Sequence, residues 1–289
     1  MKVSGFTFIK NAIKYDFPFI ESVTSILPLC DEFIIVHGDS DDETAKIIES
    51  INSSKIKVYN TVWNPDLKEG GLILSEQTNI ALSKTTGDWC FYIQGDEVVH
   101  EKYLDVIESG MNSCFNDIRV EGLLFKYLHF YGSYNYVATS RQWYRNEIRI
   151  VRNNIGVKSF KDAQGFRLND RKLNVKPLEA YVYHYGWARP PQIMQTKVKY
   201  FHTLWHNKEW IDKNVKDEVE YDFSTADTIK PFDGTHPGVM QNRVKLQNSG
   251  FCVETKKIKK NFKKKLLETI ENITGWRIGE YRNYRIIKN

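Results

Sequence analysis

The chain has 289 residues, 41% of them hydrophobic and 27% charged, with a formal net charge of +5. That length suits one large domain with an appendage, and no apolar run is long enough to span a bilayer. The positive charge is local: residues 256–289 hold eleven Lys/Arg against three Glu, a net of +8, which leaves −3 for residues 1–255. A nucleic-acid binder spreads basic charge over its working face, so nucleic acid is not an expected partner.

The four cysteines, Cys30, Cys90, Cys114 and Cys252, stand far apart with no CxxC pair. That spacing argues against a zinc cluster and fits reduced thiols. In "MKVSGFTFIKNAIKYDF" lysines and an aspartate interrupt every apolar run, unlike a signal peptide. The expectation is a cytoplasmic protein.

Residues 1–100 alternate strand and helix signals. "SGFTFI" reads as a strand, "FPFIESVTSILPL" as a helix, "EFIIVH" as a buried strand and "DDETAKIIESI" as an acid-started helix. "KIKVYN" is another strand, "SEQTNIALSK" a helix capped by Ser75, and "WCFYI" a further strand. Short apolar strands separated by helices predict a parallel sheet whose ligands gather at the carboxyl ends of the strands. Two loops fall at such ends, one with His37, Gly38 and Asp39 and one with Gln94, Gly95 and Asp96.

After a helix at "EKYLDVIESGM" the pattern changes to longer tyrosine-rich strands at "VEGLLFKYLHFYGSYNYV", "EIRIVRN" and "EAYVYHYGW", expected to be antiparallel. "PPQIMQTKVKYFHTLWHNKEW" reads as one helix opened by proline. The sequence from there to Gly250 is polar and turn-rich and carries no assignment. The tail spaces Ile258, Phe262, Leu266, Ile270 and Ile273 as one helical face with lysines elsewhere.

Adjacent Asp96 and Glu97 at the end of an apolar strand require a reason, because buried charge is costly unless it is paired or binds something. A helix cap is the simplest one. Other segments point further: Lys10 and Asn11 in "FIKNA", the loop "GDSDDET", the segment "EQTNIALSKTTGDW" with Gln77 and Asn79, "QGDE", and a distant histidine in "YVYHYGW". In this order and spacing they resemble family 2 glycosyltransferases of the GT-A fold, particularly the short bacterial type that extends lipopolysaccharide cores.

The resemblance covers about residues 3–200 and implies an α/β fold. It divides into a mostly parallel nucleotide-sugar-binding half (1–100), an acceptor-binding and catalytic half with a β region (101–206), and a helical C-terminal extension (207–289).

What the resemblance implies chemically is a divalent cation, Mn²⁺ or Mg²⁺, bridging the diphosphate of a nucleotide-sugar donor. Asp96 and His184 are the expected ligands, with His236 as an alternative histidine. Lys10, Asn11, His37, Asp39, Gln77, Asn79, Gln94, Gly95 and Arg149 are the expected donor-binding residues. Asp162 or Glu147 is the expected general base for inversion. Trp143 and Trp187 are expected to line an acceptor site, since sugar C–H faces stack on aromatic rings.

The chain departs from the pattern where His37-Gly38 replaces an aspartate pair and Gln94 replaces the first acid of an Asp-x-Asp motif. The acceptor is expected to be a saccharide or lipid-linked, and the basic tail either packs on the domain or meets an anionic membrane at the inner face of the plasma membrane. The alternative on the same fold is a non-catalytic nucleotide-sugar or glycan-binding module.

Overall fold

A computed structural model describes residues 1–67, 69–215, 218–225, 228–247 and 262–288. The first part is a strand–helix series: β1 (Val3–Ile9), α1 (Phe19–Ile26), β2 (Glu32–His37), α2 (Thr44–Glu49), β3 (Ile56–Asn60), α3 (Leu72–Ser83) and β4 (Trp89–Tyr92). β1, β2 and β4 are buried along almost their whole length, as parallel strands covered by helices on both faces must be. They pair in parallel in the order β3-β2-β1-β4. The chain therefore reverses direction across the sheet between β3 and β4, and a crevice opens at the carboxyl ends of β1 and β4.

The second part consists of β5 (Glu97–Val99), α4 (Leu104–Cys114), β6 (Gly122–Tyr131), β7 (Tyr136–Ala138), β8 (Asn146–Arg152), β9 (Val157–Phe160), β10 (Gly165–Leu168) and β11 (Arg171–Trp187). β8 runs antiparallel to both β4 and β6, and so joins the two halves into one sheet. β11 is parallel to β6, contrary to the antiparallel expectation, and antiparallel to β5 and β10. The β9–β10 hairpin was not legible in the sequence because each strand is only four residues long.

Beyond it lie α5 (Pro191–Trp205), α6 (Lys208–Asn214), β12 (Ile229–Pro231), α7 (Gln241–Gln247), α8 (Phe262–Thr274) and β13 (Tyr284–Ile286).

Three local expectations change. The helix expected to run through Trp210 breaks at His206, which is extended, and Asn207 caps a new helix by accepting from the Trp210 N–H at 3.0 Å. α3 starts after a left-handed Gly71 instead of at Ser75, whose hydroxyl donates to Leu72 O inside the helix. In the tail, Cys252 and Lys256–Asn261, including Ile258, lie outside the described residues, while Leu266 and Ile273 of α8 are exposed. Glu271 and Glu280 fasten this region to the second half through Arg141 (2.6 Å) and Arg145 (2.8 Å), and Glu271 is bound again by Arg277 (2.7 Å).

The two carboxylates at the strand end have different fates. Glu97 is fully buried and takes a bidentate pair from Arg149, at 2.7 and 2.8 Å, plus the Tyr127 hydroxyl (2.7 Å) and the Gln94 N–H (3.1 Å). Arg149 is sandwiched by Tyr92 and Tyr127, each ring centroid 5.3 Å away, and donates to the carbonyls of Ile148 and Gln164. Removing one partner of such a pair leaves the other charge buried without compensation, a cost of about 3–5 kcal/mol. Glu97→Ala should therefore lower the urea-unfolding free energy by that amount. Disrupting the exposed Lys46–Glu43 pair should leave the midpoint unchanged.

Candidate active site

The crevice is a cavity of about 440 Å³, within the ~300–1,000 Å³ usual for small-molecule sites. The end of β1 contributes Lys10, the loop after β4 contributes Gln94, Gly95 and Asp96, and α5 contributes Lys197 to the opposite wall. Tyr15 stacks on Tyr200 with centroids 4.9 Å apart and ties the loop after β1 to α5.

Asp96 is 8% exposed. Its Oδ2 accepts from Lys197 Nζ at 3.0 Å, and its Oδ1 lies 3.8 Å from His184 Nε2. Burial alone would raise this carboxyl, but Lys197, His184 and Arg189 outweigh it and hold the group well below the usual carboxylate range. Burial pushes the Lys197 ammonium down to about 8, with Arg189 adding to the effect and Asp96 opposing it. Lys197 Nζ also donates to Gly186 O at 2.9 Å.

A Cβ on Gly186 would stand 2.5 Å from His184 Nε2 and 2.9 Å from Asp96 Oδ2, so glycine at this position leaves the space beside both groups open. Carboxylate and imidazole together fit Mn²⁺, with further positions left to phosphate oxygens and water. Among the described residues no group of three or more His, Cys, Asp or Glu could hold a metal. An ion here would therefore complete its coordination with water, and with phosphate oxygens once a substrate is bound.

Asp162 also faces the cavity, from the turn between β9 and β10. Its neighbours Lys161 and Ala163 have φ of 53° and 61°, which folds the turn tightly. Gln94 Nε2 donates to Ala163 O at 3.3 Å and links this turn to the Asp96 loop. Burial raises the Asp162 carboxyl.

Glu147, the competing acid, is 2% exposed and does not line the cavity; it sits on β8 accepting from Gln164 Nε2 at 2.9 Å. Burial pushes it up to about 7.

The remaining expected residues divide clearly. Lys10 lines the cavity and bonds Asp39 at 2.8 Å, and Asp39 Oδ1 also accepts from the Trp63 N–H at 3.1 Å. Trp187 lines the cavity; Trp143 lies behind it, edge to face at 5.9 Å, and is not part of the lining.

Asn11, His37, Gln77 and Asn79 serve as braces. Asn11 accepts from the Asp41 N–H, and His37 bonds Asn60 and Ser40. Gln77 accepts from the Thr61 hydroxyl, and Asn79 pairs with the Ser159 backbone in both directions. Arg149 does not approach a diphosphate, because Glu97 holds it inside the sheet. His236 bonds the Tyr185 hydroxyl at 2.8 Å, away from Asp96.

Lys197, Gly186 and Trp63 were missed. Trp63 follows β3 at the same carboxyl edge and was findable by that rule. It also explains Gly38: a Cβ there would meet Trp63 Nε1 at 2.4 Å, so the position cannot carry an acid while the indole lies against it. Nothing in the helical pattern around Lys197 distinguishes it from a solvated lysine.

No family model matches the sequence, and no curated protein matches it. Solved structures superpose on the chain at low sequence identity. S. aureus TarS does so with a TM-score of 0.42 at 18% identity, over 76% of this chain and 41% of that one. TarS residues 1–349 in complex with UDP-GlcNAc give 0.40 at 17%, over 70% and 65%. Glucosyl-3-phosphoglycerate synthase from Mycobacterium tuberculosis, with Mn²⁺, UDP and phosphoglyceric acid, gives 0.32 at 17%, over 44% and 43%. The chain thus spans 41% of the TarS chain and less than two-thirds of each of these proteins.

Proposed function

We propose that the chain transfers a sugar from a nucleotide-sugar donor to a saccharide or lipid-linked acceptor, with inversion at the anomeric carbon and assistance from Mn²⁺ or Mg²⁺. The observation that carries this reading is the convergence of Lys10, Gln94, Asp96, His184 and Asp162 on one cavity at the point where a parallel sheet reverses its strand order. When bound at Asp96 and His184, the cation would offset the charge that grows on the leaving diphosphate.

The chain's own residues supply the rest. Lys10 and Lys197 place ammonium groups in a cavity meant for phosphates, and Lys197 additionally holds the Asp96 carboxylate in one orientation. The Gln94 amide fixes the loop against the Asp162 turn. Inversion by single displacement needs one general base for the acceptor hydroxyl. The carboxylates lining the cavity, among the described residues, are Asp96 and Asp162. Asp96 is held by Lys197, which leaves Asp162 for the proton. A carboxyl raised by burial is the better base near neutral pH.

The same proposal places the enzyme in cell-surface polysaccharide or lipopolysaccharide synthesis, at the cytoplasmic face of a membrane. No helix among the described residues is long and apolar enough to cross one. α8 exposes Leu266 and Ile273, Trp276 follows it, and the sequence just before it is lysine-rich. Co-sedimentation with vesicles containing anionic lipid should be lost when residues 256–276 are deleted, and retained with the deletion if the surface plays no part.

Two measurements test the chemistry. Calorimetric titration of a panel of nucleoside diphosphates should show Mn²⁺-dependent binding of one of them, lost in Asp96→Asn; binding indifferent to both would move the site elsewhere. Asp162→Asn should keep that binding while kcat falls about 10²–10⁴-fold, the range for a general base. Because the folded Asp162 carboxyl is raised, activity should fall as pH drops through a value above that of an ordinary aspartate. That acid limb should vanish in the variant; undiminished turnover by Asp162→Asn would remove it as the base.

A further inference from the structure

Behind His184 stands a second buried histidine that the proposed chemistry does not use. His129 on β6 and His184 on β11 are register partners in adjacent parallel strands, so their side chains leave the sheet on the same face. Their Nδ1 atoms are 3.0 Å apart, and His129 Nε2 lies 2.8 Å from the Tyr144 carbonyl oxygen.

A carbonyl only accepts, so His129 Nε2 must carry a proton. His129 is 3% exposed and enclosed by Tyr127, Trp143 and Tyr144. The nearby carboxylate, Glu97, is already taken by Arg149, so a second proton on His129 would be a buried, uncompensated charge. Enclosed in this way and with no carboxylate of its own, the His129 ring is neutral. A neutral ring protonated at Nε2 has a bare Nδ1. The 3.0 Å contact then requires His184 to donate from its own Nδ1, so Nε2, 3.8 Å from Asp96 Oδ1, is the nitrogen whose lone pair a cation would take.

We propose that His129 is a positioning residue that fixes His184 in its Nδ1–H tautomer, so that the His184 Nε2 lone pair faces the space beside Asp96 and is available to a divalent cation. The chain of donors runs from His184 Nδ1 to His129 Nδ1 and from His129 Nε2 to the Tyr144 carbonyl. An outer hydrogen bond of this kind orients a ligating ring, and its loss typically costs 10–100-fold in metal affinity. The cation rests on the function proposed above, but the tautomer does not.

The test uses metal-free, ¹⁵N-histidine-labelled full chain and neither nucleotide nor acceptor. Long-range ¹H–¹⁵N spectra, with the His184 signals identified by their absence in His184→Gln, should show His184 protonated at Nδ1 and His129 at Nε2. Titration with Mn²⁺ alone, followed by loss of the free-ion EPR signal, should show about 10–100-fold weaker binding in His129→Phe. His129→Gln, whose amide oxygen can accept from His184 Nδ1, should recover most of it. A His184 protonated at Nε2, Mn²⁺ affinity unchanged in His129→Phe, or no Mn²⁺ binding by the wild type overturns the proposal. If His129→Phe does not fold, the wild-type spectrum and the glutamine variant decide. Failure to transfer sugar, with these results intact, would overturn the transferase reading alone.

Discussion

The site depends on a charge that never reaches it. Arg149 lies in the middle of the sheet and Glu97 is the group that makes that position tolerable. In meeting Arg149, Glu97 also takes the Gln94 N–H and the Tyr127 hydroxyl, and so fixes both ends of the short turn on which Asp96 sits. Arg149 in turn reaches Gln164 O, two residues past Asp162. One buried pair therefore sets the distance between the two loops that face the cavity. The cost of desolvating it is offset by hydrogen bonds on nearly every polar atom of the pair.

Much of the first hundred residues was legible in sequence because its signals are local. β1, β2 and β4 are continuous apolar runs, and the loops that follow them sit where the carboxyl-edge rule puts them. Asp96, Gln94, Gly95, Lys10, His184, Asp162 and Trp187 all meet at one cavity. Sequence alone does not tell a polar side chain that faces a cavity from one that faces a neighbouring element. Asn79 and Gln77 look like ligand contacts in one dimension, and they bind the Ser159 backbone and Thr61 in three. The resemblance puts Arg149 at the diphosphate, and Glu97, the partner that holds it inside the sheet, is 52 residues away.

The strands after residue 100 were less legible because their order is set by pairing over long separations. β11 runs 17 residues and carries β6, β5, β10 and β13 along its edges, so its direction relative to β6 could not be read from alternation. Lys197 illustrates the same limit. It lies on a helix with ordinary amphipathic spacing, yet tertiary packing puts its ammonium against Asp96 with Phe17 and Phe201 rings 5.0 and 5.2 Å away.

The Asp162 turn has one more support, and it comes from far along the chain. Arg167, on the same hairpin, donates to Asn283 O at 3.3 Å and to the Tyr281 hydroxyl at 3.1 Å, while β13 pairs in parallel with β11 beside it. These contacts span more than a hundred residues. Contacts of such separation carry a high loop-closure entropy and favour slow folding. During synthesis the hairpin bearing Asp162 emerges more than a hundred residues before these props. The turn that carries Asp162 thus takes part of its support from residues 281–286, so a change there would be felt at the cavity without touching any residue that lines it.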